Sequence, residues 1–217
     1  MVQINPLGEQ KMLLAQPELP FGAIMQVAGA LGTGKTEVVL KLLSKYPGLR
    51  IAWIEEMHDG RDRAYPCAFP QNGVELDRVL FVEAPKSRDS KSAIWAAHQI
   101  LRSQLFKIVC LGLHRFDEIV LRRLQLAAEK THAAVILLSQ VLVKQGSWPI
   151  AVQLEVERDL QEGVLVKLIK SRKTFLQGGS NVSSSVYPVH RENLGSQDFR
   201  GLRGSLPSIE SSGRDPA

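Results

Sequence analysis

The run Gly29-Ala30-Leu31-Gly32-Thr33-Gly34-Lys35-Thr36 matches G-x-x-x-x-G-K-[ST], a spacing whose residue types suit the grip of a phosphate chain. Its glycines allow a tight turn whose N–H groups point inward around an anion. Lys35 adds a point charge for the β and γ oxygens, and Thr36 offers a hydroxyl to a magnesium ion. A helix starting at this point aims its positive end at the same anion. The loop therefore predicts binding of ATP or ADP with Mg2+. Whether it also predicts hydrolysis depends on carboxylates elsewhere, because phosphoryl transfer needs a positioned water and a fixed metal shell.

Positioning such a loop requires a strand before it and a helix after it. The apolar stretch 24–28 supplies the strand, and 37–45 carries Val38, Val39, Leu42 and Leu43 along one side of a helix. Further along, 50–55, 78–83, 107–112 and 134–139 read as buried strands. Helical spacing with charged outer faces fills 91–106 and 116–132. This βαβ series predicts an α/β fold with a mainly parallel sheet and helices on both faces. Ile150, Val152, Leu154 and Val156 then alternate with Ala151, Gln153, Glu155 and Glu157, and 164–170 continues after a polar link, which predicts an antiparallel pair at the sheet edge. From residue 177 the chain is rich in Gly, Ser and Pro with few aliphatic residues, so 1–176 is the expected core and 177–217 the expected disordered tail.

The composition narrows the class. A chain of 217 residues with 44% hydrophobic content can bury one sizeable core. No apolar run approaches the length of a membrane span, and the start lacks the basic and apolar regions of a signal peptide. The two cysteines, Cys67 and Cys110, have no metal-type spacing, and His98 and His132 read as surface or boundary residues, so no zinc site is expected. A cytoplasmic protein is the expectation. The net charge of +5 admits polyanionic partners without requiring them, and Arg122-Arg123 reads as a solvated helix face.

The order of these parts resembles the RecA-like recombinase family over residues 19–175. Leu19-Pro20-x-Gly22-x-Ile24 followed by Val27-x-Gly29 resembles the lead-in to that family's P-loop (Walker A). Ala52-Trp53-Ile54-Glu55-Glu56-Met57-His58 resembles its strand with the catalytic glutamate, Ile136-Leu-Leu-Ser139-Gln140 its strand ending in a γ-phosphate-sensing glutamine, and Leu168-Ile-Lys170-Ser-Arg172 its paired cations that reach the next subunit's nucleotide. The run 121–129 before an apolar strand is most similar to the ImuA-type accessory factors of DNA-damage-inducible, error-prone polymerase cassettes. That resemblance implies a RecA-like core, a role in the SOS response, translesion synthesis and DNA repair, and partners among the polymerase cassette proteins or a RecA recombinase. It also implies Gln140 as a nucleotide sensor and Lys170 and Arg172 as inter-subunit residues.

The departures from the family pattern set the remaining expectations. Alignment on His58 puts Met57 where the family has its water-activating glutamate, leaving Glu55 and Glu56 as catalytic candidates out of register. Gly112 stands where an acid should help hold magnesium, and Asp117 and Glu118 come too late to replace it. Hydrolysis is therefore expected to be absent or very slow. The DNA-contacting loops are cut back, leaving Lys144 and Trp148 as candidates for weak, salt-dependent binding of single-stranded DNA. With only a few residues before the core, no long autonomous filament is expected, and a homo-oligomer is left open. Two alternatives stand beside the accessory-protein reading: a DNA-dependent ATPase using Glu55 or Glu56, and a SulA-like interaction module with a relic nucleotide site.

Overall fold

A computed structural model describes residues 18–57, 63–86, 90–113, 117–143, 149–159, 163–172 and the strand backbone at 186–189. Eight strands form one sheet: β1 (Ile24–Ala28), β2 (Ile51–Glu56), β3 (Val79–Ala84), β4 (Ile108–Gly112), β5 (Ala134–Ser139), β6 (Ile150–Asp159), β7 (Gly163–Ser171) and β8 (Val186–Val189). Among the described residues four α-helices accompany them: α1 (Lys35–Leu43), the short α2 (Ala68–Gln71), α3 (Lys91–Ser103) and α4 (Glu118–Thr131). The strand order is β3-β2-β4-β5-β1-β6-β7-β8. The pairings among β1 to β6 are all parallel, while β7 is antiparallel to both β6 and β8.

The apolar runs form strands because the sheet interior hides both of their faces. All five residues of β1 and all six of β5 are buried, as expected for central strands of a covered parallel sheet. On one face Met25, Val27, Trp53, Cys110 and Ile136 pack against Val39, Leu40 and Leu43 of α1 and Phe69 of α2. On the other, Ile24, Ile54, Val109, Leu111 and Val135 pack against Ala93, Ala97 and Leu101 of α3 and Leu121, Leu124 and Ala128 of α4. Each fully buried leucine contributes roughly 2 kcal/mol, so these two layers clamp the sheet between the helices.

Helix α1 begins two residues earlier than the spacing predicts, because Gly34 at φ +94 closes the preceding turn and serves as the N-cap. Its far end is held by Arg78, a largely buried side chain. Arg78 Nη1 donates to Tyr46 O at 2.9 Å and Leu49 O at 3.0 Å, and Nη2 donates to Leu43 O at 3.4 Å. These carbonyls lie at or just past the helix end, where backbone acceptors lack helical partners. Helix α3 stops at Ser103, short of 106, because Gln104 turns left-handed at φ +58. Helix α4 starts at Glu118, with Asp117 Oδ1 accepting from Val120 N at 2.7 Å as its cap.

At the edge, β6 and β7 form the expected antiparallel pair, and β6 joins it to the sheet by pairing in parallel with central β1. One feature there differs from the sequence expectation. Strand β8 lies inside the segment expected to be a disordered tail and pairs with β7 through Val164↔Val189 to Lys167↔Val186. An edge strand of four residues carries too few apolar positions to stand out from its Ser-rich surroundings. Among the described residues no helix is long and apolar enough to cross a membrane.

Candidate functional site

Loop 29–34 follows the carboxyl end of β1, Glu55 and Glu56 end β2, Gly112 ends β4 and Ser139 ends β5. The helix after β1 covers one face of the sheet, and those after β3 and β4 cover the other. A crevice opens where such connections diverge at the carboxyl ends of parallel strands. Leu31, Lys35, Thr36, Glu55, Glu56, Gly112, Leu113, Leu138, Ser139 and Gln140 line it.

The glycine loop is shaped by close approach to the β6–β7 hairpin. A Cβ on Gly29 would stand 2.5 Å from Val156 O and 2.7 Å from Thr33 Oγ1, so no side chain fits. A Cβ on Gly34 would stand 2.7 Å from Val164 Cγ2 at a positive φ that glycine alone adopts readily. Gly29 N donates to Ser139 O at 3.1 Å, Thr33 Oγ1 donates to Ala30 O at 2.9 Å, and Arg158 Nη1 donates to Gly32 O at 3.3 Å. Lys35 Nζ donates to Gly29 O at 2.9 Å, which lays its cation across the mouth of the loop. Gly34 caps α1 without a side chain. Lys35 and Thr36 thus lie in the first helical turn, where the dipole favours an anion and the backbone donors are open to one.

The two carboxylates reach the crevice from opposite faces of β2. Glu55 lies on the face of Trp53. Its Oε1 accepts from Trp53 Nε1 at 2.7 Å and from Ala64 N at 3.0 Å, and its Oε2 accepts from Ala64 N at 3.1 Å. Burial pushes the Glu55 carboxyl above the ordinary glutamate range, and these hydrogen bonds and the nearby Arg63 charge offset it only in part. Trp53 is itself braced by Phe69, with ring centroids 5.1 Å apart in an edge contact. Glu56, buried toward α3, accepts from Ser90 Oγ at 2.9 Å through its Oε2. Met57 is 48% exposed and outside the lining; its N–H donates to Ala84 O at 2.8 Å. Gly112 has room: a Cβ there would meet nothing closer than Glu55 Cγ at 3.6 Å.

Gln140 is exposed at the crevice rim, directly after β5. The segment that follows it is held by a buried amide cluster. Gln26 Nε2 donates to Ser139 Oγ at 2.8 Å and Val141 O at 3.0 Å, while Gln26 Oε1 accepts from Gln153 Nε2 at 2.9 Å and Val143 N at 3.2 Å. Gln153 stands in the polar phase of the β6 alternation. It is buried because 141–143 lies over it.

The crevice thus brings together Leu31, Lys35, Thr36, Glu55, Glu56, Gly112 and Gln140. Lys170 and Arg172, at the end of β7, do not line it; burial, then the charge of Arg172, lowers the Lys170 pKa. Lys144 and Trp148 lie outside the described residues. Residues missed by the motif reading are Ser90, Trp53, Arg158, Gln26 and Gln153, which act through fold-dependent contacts rather than through any local spacing. Chemically, the loop N–H groups and Lys35 suit a polyphosphate, and the Thr36 hydroxyl and the Glu55 carboxylate are oxygen groups of the kind that suit a hard cation such as Mg2+. No protein-family model matches the chain, and no curated protein matches it.

Proposed function

We propose that this chain is a RecA-like, adenine-nucleotide-binding accessory protein of DNA-damage tolerance, similar to the ImuA-type factors, which docks protein partners according to its nucleotide state. The observation that carries the reading is the meeting of Lys35 and Thr36, in the first turn of a helix capped only by Gly34, with two carboxylates and Gln140 across one crevice. The loop residues Gly29, Ala30, Leu31, Gly32, Thr33 and Gly34 enclose the phosphates, Lys35 neutralises them, and Thr36 ligates Mg2+. Gln140 reports occupancy to the segment held by Gln26 and Gln153. Lys170 and Arg172 serve a neighbouring copy, and the partners are polymerase cassette proteins or a RecA recombinase in the cytoplasm.

Slow turnover follows from the same residues. Met57 supplies no carboxylate, Asp117 is occupied as a helix cap, and Glu56 is bonded to Ser90. With Glu55 held by Trp53 and Ala64 and no carboxylate at 57 to orient the attacking water, a loss on the order of 2–4 kcal/mol in transition-state stabilisation, tens to hundreds of times in rate, is expected. The rival reading, a DNA-dependent ATPase, draws support from Glu55 and Glu56 both lining the crevice. Steady-state ATP turnover with and without single-stranded DNA separates them. Tight nucleotide binding with little DNA stimulation supports the accessory protein, whereas DNA-stimulated turnover abolished by Glu56→Gln supports the enzyme.

A further inference from the structure

We infer that Glu55 takes over, from the neighbouring strand, the place of the carboxylate that β4 lacks, and that it holds the water shell of a magnesium ion accompanying the nucleotide. The inference rests on the nucleotide reading above and names the metal-positioning residue of that site.

Three observations converge on Glu55. In the β2–β4 ladder it stands directly opposite Gly112. A Cβ at 112 would stand in ordinary contact with the Glu55 stem, 3.6 Å from Glu55 Cγ, so a side chain from either position would border the same space. Glu55 also lies on the sheet face covered by α1, the helix that carries Thr36 in its first turn, and both line the crevice. Glu56, one residue on, points to the other face and is engaged by Ser90.

The Glu55 carboxylate is held rather than free to wander. Trp53 Nε1 and Ala64 N donate to it at 2.7 and 3.0 Å, and an ionised carboxylate has about four acceptor positions, so capacity remains for metal-bound water. Magnesium keeps several waters and takes few direct protein ligands. An acid that acts through water needs the right neighbourhood more than a fixed strand position, so a cross-strand substitution of this kind satisfies the ion. Glu55 is then a positioning residue, acting on the metal through its shell.

The test is isothermal titration of ATP into the full chain, in EDTA and across a Mg2+ series, for the wild type, Glu55→Gln, and Glu55→Gln with Gly112→Asp. Gln preserves an acceptor for Trp53 and Ala64, so thermal melts should confirm folding. In EDTA the wild type and Glu55→Gln should bind ATP alike, while the Mg2+ enhancement should shrink about 10–100-fold in Glu55→Gln. Gly112→Asp should restore it, since the carboxylate returns from β4 into the same space. A purely structural role for Glu55 would not be rescued across strands. If the double variant fails to fold, Glu55→Asp should retain part of the Mg2+ enhancement that Glu55→Gln loses. An unchanged enhancement in Glu55→Gln overturns the inference while leaving nucleotide binding intact. A wild type that binds no ATP under either condition overturns both.

Discussion

Replacing Gly29 with Ala tests how the loop at 29–34 is held. The added Cβ would stand 2.5 Å from Val156 O and 2.7 Å from Thr33 Oγ1. The first contact is about 1 Å inside ordinary van der Waals separation. Neither neighbour yields easily: Val156 is a buried residue of β6, paired with Val166 of β7, and Thr33 Oγ1 is bonded to Ala30 O at 2.9 Å. The loop must move away from the hairpin, breaking the register of Lys35 against Gly29 O. Overpacking of this kind costs about 1–3 kcal/mol, which for a chain of this length lowers Tm by roughly 2–12 °C. Thermal denaturation followed by circular dichroism gives the stability term, and fluorescent-nucleotide titration gives the binding term. Gly48→Ala is the control, because nothing stands within 4 Å of its Cβ position. A Gly29→Ala protein with unchanged Tm and unchanged nucleotide affinity would refute the packing of this loop against β6.

Other perturbations address the supports of the site. Arg78→Met should destabilise the fold by about 2–4 kcal/mol, measured by urea denaturation, because three carbonyls at the end of α1 lose a buried donor. Glu55 binds its proton more tightly in the folded than in the unfolded chain, so its contribution to stability falls as pH rises from about 4.5 through its elevated pKa. The stability of Glu55→Gln relative to the wild type should therefore improve with pH across that window, and a difference independent of pH would show the carboxyl to be unperturbed. Cys110 is wholly buried with its thiol pushed far up, so it should resist alkylation in the folded protein while exposed Cys67 reacts; mass spectrometry after brief iodoacetamide treatment reads this. Truncation after residue 176 removes β8 and should lower Tm by only a few degrees, since four edge residues leave both core clusters intact.

The loop and the sheet were legible because their signals are local. Gly34 and Lys35 carry a turn and a charge at fixed spacing, and the runs 134–139 and 24–28 are apolar throughout because both of their faces are covered. What escaped was set by contacts distant in sequence. Gln153 follows the polar phase of an alternating strand, yet 141–143 folds over it and Gln26, 127 positions away, bonds it. Glu55 looks misplaced when counted along β2, and its position opposite Gly112 emerges only from the pairing of β2 with β4. Helix ends shifted by a few residues where left-handed turns at Gln104 and Gly34 decide them.

A magnesium nucleotide in the crevice at the head of α1 would be held through Lys35. Isothermal titration of ATP and ADP with Mg2+ into the full chain and into Lys35→Ala tests it most directly, with melting curves to verify that the variant folds. Saturable one-to-one binding by the wild type, abolished in a folded Lys35→Ala, is the predicted result. Absence of binding by the wild type, or equal binding by a folded Lys35→Ala, would contradict the account.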